Sequence, residues 1–197
     1  MNQPFGVILA GGLARRMGGG DKALLPLGDG VVMDHVWDRL APQTGKVAIN
    51  ANGDPARWRA WNGPVLPDTL PDFPGPLAGV LAGMRWAAQA GTSHIVTVAG
   101  DTPFFPPDLV PQLLFACERQ GKPIGIAATA DGWHPTFGVW PVALADDLET
   151  ELTGGMRKIL RWAEKHGVAQ AMFPTGDLDP FFNINTPDDL AAAQAQQ

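Results

Sequence analysis

The chain has no tyrosine and a single cysteine, Cys117, among its 197 residues. One thiol excludes an intrachain disulfide framework and a cysteine-rich zinc site, and without tyrosine there is no phenolic acid or base. Cys117 ends the apolar run Leu113-Leu-Phe-Ala-Cys117 and reads as a core thiol, not a nucleophile. Basic residues are also few. Fourteen Lys and Arg stand against 20 Asp and Glu, a net charge of −6, which speaks against a basic face for nucleic acid. No apolar run approaches the ~18 residues of a membrane span. Residues 2–4 are uncharged, and the apolar run after them is too short for a signal peptide. The expected location is therefore the cytoplasm, with neither nucleic acid nor membrane as partner. His35, His94, His134 and His166 follow no metal-ligand spacing, and no Ser/His/Asp set stands out. His134, in Trp133-His-Pro-Thr136, reads more readily as a turn residue at a strand entry than as a catalyst.

Glycine and proline, at 24 and 19 residues, are plentiful and mark many tight turns. The densest glycine cluster follows Val7 to Ala10, an apolar run that reads as a short buried strand. Gly11-Gly12 ends the run; Arg15, Arg16, glycines 18 to 20, Asp21 and Lys22 follow. Glycines take φ > 0 and let N–H groups converge on an anion. Three cations within eight residues repel one another unless an anion lies between them. The stretch reads as a loop for the polyphosphate of a nucleoside triphosphate, against the plainer alternative of a surface turn with solvated charges. It is not a Walker loop, because Asp21 precedes Lys22 and Ala23 follows it. Gly18 to Ala23 matches the dinucleotide fingerprint in form, but no strand directly precedes it.

Beyond the loop, strand and helix patterns alternate. Helices are expected over Val31–Leu40, from Asp54-Pro55 onward, and over Leu77–Ala90, Pro107–Gln120, Leu144–Leu152 and Met156–His166, with a last one starting in Thr186-Pro-Asp-Asp189. Strands are expected at Lys46–Asn50, Val65–Leu66, His94–Ala99, Pro123–Thr129, Thr136–Trp140 and Ala169–Phe173. This order implies one α/β domain over residues 1–197, Rossmann-like and three-layered, with a mainly parallel sheet and helices on both faces. In such sheets the residues just past the carboxyl ends of strands share one crevice. Gly11-Gly12, Asn50, Asp68 and Asp101 all fall at such positions.

Asp101, in Gly100-Asp-Thr-Pro103, either caps its own turn or holds Mg²⁺; its place at an interior strand end favours the metal, which takes carboxylate and phosphate oxygens together. A metal, a cationic loop and a triphosphate suit attack on an α-phosphate, where positioning and charge neutralisation do the work. Asn183 and Asn185 alternate about Ile184, so both amides either face the crevice or serve as turn residues. Thr186 has the form of an N-cap, with Pro187 next and Asp188 and Asp189 in the first turn.

Leu9-Ala-Gly-Gly12, Arg15-Arg-Met-Gly18 and Asp21-Lys22 resemble the signature of the nucleotide-diphospho-sugar transferase type of fold. With Asn50-Ala-Asn52, Gly75-Pro-Leu-Ala-Gly79, Gly100-Asp-Thr-Pro103, His134-Pro-Thr136 and Asn183-Ile-Asn-Thr-Pro-Asp-Asp-Leu190, the chain resembles the molybdenum cofactor guanylyltransferases from residue 6 to about 191. The resemblance implies transfer of GMP from GTP to molybdenum-bound molybdopterin, with release of pyrophosphate. It implies that Leu9, Ala10, Gly11 and Gly12 serve the base and ribose. It further implies that Lys22 binds phosphates, Asn50 and Asp68 hold the nucleotide, Asp101 binds Mg²⁺ and Arg16 stabilises transition-state charge. Asn183 and Asn185 match the segment placed near the pterin, and Arg157 and Lys158 are either pterin contacts or the basic start of a helix. Upstream cofactor-synthesis proteins and downstream apo-molybdoenzymes or their chaperones are implied partners. Gly11-Gly12, and Gly75 to Gly79, favour guanine over the cytosine of related cytidylyltransferases. A transferase of the same fold acting on CTP or a sugar phosphate, and a non-catalytic cofactor carrier, are the alternatives; retention of Lys22 and Asp101 disfavours the carrier. Gly28-Asp-Gly-Val-Val32 departs from the Gly-Lys/Arg-Pro turn common in this fold.

Overall fold

The run Phe5–Leu9 forms β1, buried along nearly its whole length because strands flank it and helices cover both its faces. The structure, a computed structural model, describes residues 3–11, 21–70, 75–176 and 179–196. A hairpin of β2 (Pro26–Leu27) and β3 (Gly30–Val31) follows β1, turning at Gly28 with φ +59. The other strands are β4 (Val47–Asn50), β5 (Val65–Leu66), β6 (His94–Ala99), β7 (Ile124–Thr129), β8 (Gly132–Pro141) and β9 (Val168–Met172). With β1 they make a seven-stranded sheet in the order β5-β4-β1-β6-β8-β7-β9. Every pairing is parallel except those of β8, which runs antiparallel to β6 and β7. The mainly parallel α/β sheet is therefore as expected.

Side chains alternate across the strands and feed two cores. On one face Ile8, Ile49, Val96 and Val98 pack with α1 (Val32–Leu40), α3 (Leu109–Gln120) and α6 (Pro187–Gln194). On the other, Val7, Ile95, Ile124 and Ile126 pack with α2 (Pro76–Gln89), α4 (Ala145–Thr153) and α5 (Ile159–His166). Gly121, left-handed at φ +61, closes α3. No helix among the described residues is long and apolar enough to cross a membrane.

Three elements differ from expectation. The helix after Asp54 is only a 3-10 turn, Pro55–Trp58, although Asp54 caps it through Ala56 N–H at 2.9 Å. A longer helix would carry the chain away from β4, to which Val65 must return. Trp58 is nonetheless buried, and Trp61 packs on it and donates to Asp34 at 3.1 Å. The helix expected from Met156 begins at Ile159, because Gly155 turns at φ +96 and Lys158 is extended. The strand expected at Thr136–Trp140 starts at Gly132, so His134 lies within β8 and not in a turn before it. The register against β7 jumps from Gly138 to His134, leaving Pro135 to Phe137 as a bulge. Pro135 has no N–H for a ladder, which is why the strand pattern breaks there. The bulge is held from within the core: Trp140 Nε1 donates to Thr97 Oγ1 at 2.9 Å, and Thr97 Oγ1 donates to the Thr136 carbonyl at 2.8 Å.

Candidate active site

The parallel ladder places the carboxyl ends of β1, β4, β5 and β6 side by side. Ala10 N–H donates to the Asn50 carbonyl at 2.9 Å, Ala51 N–H to Leu66 at 3.1 Å and Gly100 N–H to Leu9 at 3.0 Å. Leu9, Ala10, Gly11, Asn50, Asp68 and Asp101 thus share one sheet edge. Gly12 and Arg16 lie outside the described residues, as do Arg15 and Gly18 to Gly20.

At one end of this edge, buried Asn50 donates through Nδ2 to the Leu66 carbonyl and to Asp68 Oδ1, both at 3.0 Å. Asn52 Nδ2 donates to Asp68 Oδ2 at 2.8 Å, and its Oδ1 accepts the Asp68 N–H at 2.9 Å. Both carboxylate oxygens of Asp68 are therefore oriented by amides before any ligand arrives. Asn50 Oδ1 faces α2, where a Cβ on Gly79 would stand 2.2 Å from it and 2.7 Å from Leu9 Cδ2. Gly79 is what allows the helix so close.

At the other end, Lys22 Nζ donates to Asp101 Oδ2 at 3.2 Å and to Asn185 Oδ1 at 2.5 Å. Their side chains are 18% and 23% exposed for Lys22 and Asp101, shielded yet reachable by a ligand. The C-terminal arm is sewn to the end of β6. Ile184 N–H donates to the Asp101 carbonyl at 2.9 Å, and the buried Thr102 hydroxyl donates to Asn183 Oδ1. Ile184 is fully buried, and of its two flanking amides Asn185 meets Lys22 while Asn183 meets the buried Thr102. Thr186 caps α6: its hydroxyl accepts the Asp189 N–H at 3.2 Å while Asp189 Oδ2 accepts Thr186 and Asn185 N–H groups at 2.8 and 2.9 Å. Those bonds, from Asn185 first, hold the Asp189 carboxyl below its usual range.

His134 stacks on Phe181 with ring centroids 4.3 Å apart and pairs with Thr129 Oγ1 at 3.0 Å. Burial lowers its pKa, partly opposed by Asp179 and Asp131, so it sits as a neutral ring supporting the arm. Arg157 Nη1 bonds the Leu152 and Met156 carbonyls, which ties it to the α4–α5 turn; Lys158 is the residue just before α5. Cys117 is half-buried, and burial pushes its thiol up to about 11, against a nucleophilic role. No group of three His, Cys, Asp or Glu among the described residues could hold a metal on protein ligands alone. A lone Asp101 fits the way Mg²⁺ is bound by one or two carboxylates plus substrate phosphates.

Sequence reasoning passed over Asn52, Asp21, Arg57 and Thr102 as site residues. Asn52 was findable, since it repeats Asn50 at the strand period just past β4. Arg57 carries no local signal, and Thr102, though inside the Gly100-Asp-Thr-Pro103 motif, shows no partner in sequence, because Asp21 and Asn183 are distant along the chain.

The strand order, the crevice past the strand ends and the Lys22–Asp101 pair define an NTP-transferase type of α/β domain, and residues 6–169 match the MobA-like NTP transferase domain family. The chain is 48% identical to the molybdenum cofactor guanylyltransferase of Mesorhizobium japonicum, covering 95% of this chain and 93% of that one. It is 49% identical to that of Cereibacter sphaeroides, covering 97% and 95%. The chain belongs to the molybdenum cofactor guanylyltransferases. Its fold matches the crystal structure of molybdopterin-guanine dinucleotide biosynthesis protein A from Archaeoglobus fulgidus, with a TM-score of 0.77 at 27% identity, covering 98% and 97% of the two chains.

Proposed function

We propose that the chain transfers GMP from GTP to the terminal phosphate of molybdenum-bound molybdopterin. A phosphate oxygen of the acceptor attacks the α-phosphorus, the bond to the β-phosphate bridging oxygen breaks, and pyrophosphate leaves. The observation that carries this reading is the junction at Lys22, where the end of the glycine loop, the end of β6 and the C-terminal arm meet. An amine held by a carboxylate and an amide can pass to triphosphate oxygens, which take over its bonds. Asp101 would then be the residue to hold Mg²⁺, which would supply neutralisation of charge on the phosphates. Asn183 and Asn185 are the proposed contacts for the acceptor, and Arg16 is the proposed partner of transition-state charge. No protein nucleophile is required, which suits a high-pKa Cys117 and a neutral His134.

At the opposite end, the Asp68 carboxylate keeps free lone pairs on both oxygens after its two amide bonds. A pre-oriented anionic acceptor suits the N1–H and N2–H edge of guanine, which cytosine does not present. The test is pyrophosphate release with each of the four NTPs, molybdenum-loaded molybdopterin and Mg²⁺. GTP-selective release that stops on chelation is expected; preference for CTP, or no release, would reject the reading.

A further inference from the structure

Arg57 stands outside the motifs that carry the family likeness, yet all three nitrogens of its guanidinium are engaged at the rim of the crevice. Nη1 pairs with the Asp21 carboxylate, Nη2 donates to the Asn52 carbonyl at 2.6 Å and Nε to the Asp54 carbonyl at 3.0 Å. The group also lies over the ring of buried Trp58, 5.6 Å from its centroid. It therefore joins the two lips of the site. Asp21 directly precedes Lys22, and Asn52 braces Asp68. Asp21 is also a carboxylate in an awkward place, one residue from an amine assigned to phosphates. Its side chain is only 15% exposed, so water screens it weakly. Left alone, it would repel the triphosphate.

We propose that Arg57 is a positioning residue for the phosphate end: it cancels the Asp21 charge beside Lys22 and anchors that lip to the Asn52–Asp68 side. The proposal rests on the reading of Lys22 as a phosphate-binding group. Arginine suits the task because its planar fork reaches a carboxylate and two carbonyls at once, whereas lysine offers a point charge.

The full chain is compared with Arg57→Ala, Arg57→Lys, Asp21→Asn and the double variant Arg57→Ala/Asp21→Asn. Affinities for GTP and for inorganic tripolyphosphate are measured by calorimetry, and KM for GTP and kcat by pyrophosphate release. Arg57→Ala should weaken both ligands and raise KM about tenfold, the scale of one unit charge acting across about 10 Å at a protein surface. Its kcat should stay within about twofold, since the chemistry at Lys22 and Asp101 is intact. The double variant should regain most of the affinity for tripolyphosphate, and Arg57→Lys should fall between Arg57→Ala and the unsubstituted chain. A purely structural role would instead make the double variant as weak as Arg57→Ala or weaker. That result, or unchanged tripolyphosphate affinity in Arg57→Ala, overturns the proposal. If the unsubstituted chain binds tripolyphosphate but releases no pyrophosphate from GTP, guanylyl transfer fails while the tripolyphosphate arm still decides the role of Arg57.

Discussion

The two ends of the crevice are held by different physics. At the Asn50–Asn52–Asp68 end, two amides orient one carboxylate, and all three residues sit at or just past neighbouring parallel strands. At the Lys22–Asp101–Asn185 end, a cation is shared between a carboxylate and an amide that come from distant parts of the chain. On the proposed reading that arrangement is a resting state, because a polyphosphate would compete directly for the lysine. The proposed transfer would use the two ends differently: the first would fix the nucleotide, and rearrangement of the second around the phosphates would supply stabilisation in the transition state.

The sharpest way to break this division is at the Lys22–Asp101–Asn185 end. Lys22→Ala and Asp101→Ala should each lower kcat by about 10²–10³, the usual loss for one charge-stabilising contact. Normal Mg²⁺-dependent turnover in Asp101→Ala would remove the metal assignment. Asp68→Ala should act differently, raising KM for GTP about tenfold or more through the loss of charge-assisted hydrogen bonds while kcat changes little. A drop in its kcat as deep as that of Asp101→Ala would show that the two ends are not separable. Smaller effects are expected where the arm is supported. Thr186→Ala removes the α6 cap and should cost about 1 kcal/mol in denaturant unfolding, with chemistry retained.

The smallest effect concerns pH. Burial lowers the His134 pKa from its ordinary value near 6.5, so as pH falls through that value the unfolded chain takes up the proton first. Stability therefore rises with pH in the window just below 6.5 and is lost on acidification. Between about pH 7.5 and about pH 5.5, His134→Gln should lose less melting temperature than the unsubstituted chain. His94, lowered by burial in the same way, is common to both proteins and drops out of the difference.

Much of the sheet edge was legible. Strand runs such as His94–Ala99 are mostly apolar on both faces and lead into Gly-Asp, so both the strand and its acidic terminus are local signals. The parallel order then aligned Asn50, Asp68 and Asp101 on one edge without any knowledge of contacts. The β8 bulge was not legible, since Pro135 interrupts the pattern while the bonds that hold the bulge come from Thr97 and Trp140. Nor was the turn at Pro55–Trp58, where a good helix start is cut short by the need to return to β4.

By itself the sequence determined the α/β order, the family and the residue types available to the site, because those depend on periodicity, glycine placement and motif order along the chain. Only the tertiary structure decided which groups meet: Lys22 with Asn185 across 163 positions, Arg57 with Asp21 across 36, and Asn50 against Gly79. Such pairs leave no local trace. A hydrogen bond between distant residues is set by how two helical layers close over one sheet, and that is a property of the packed core.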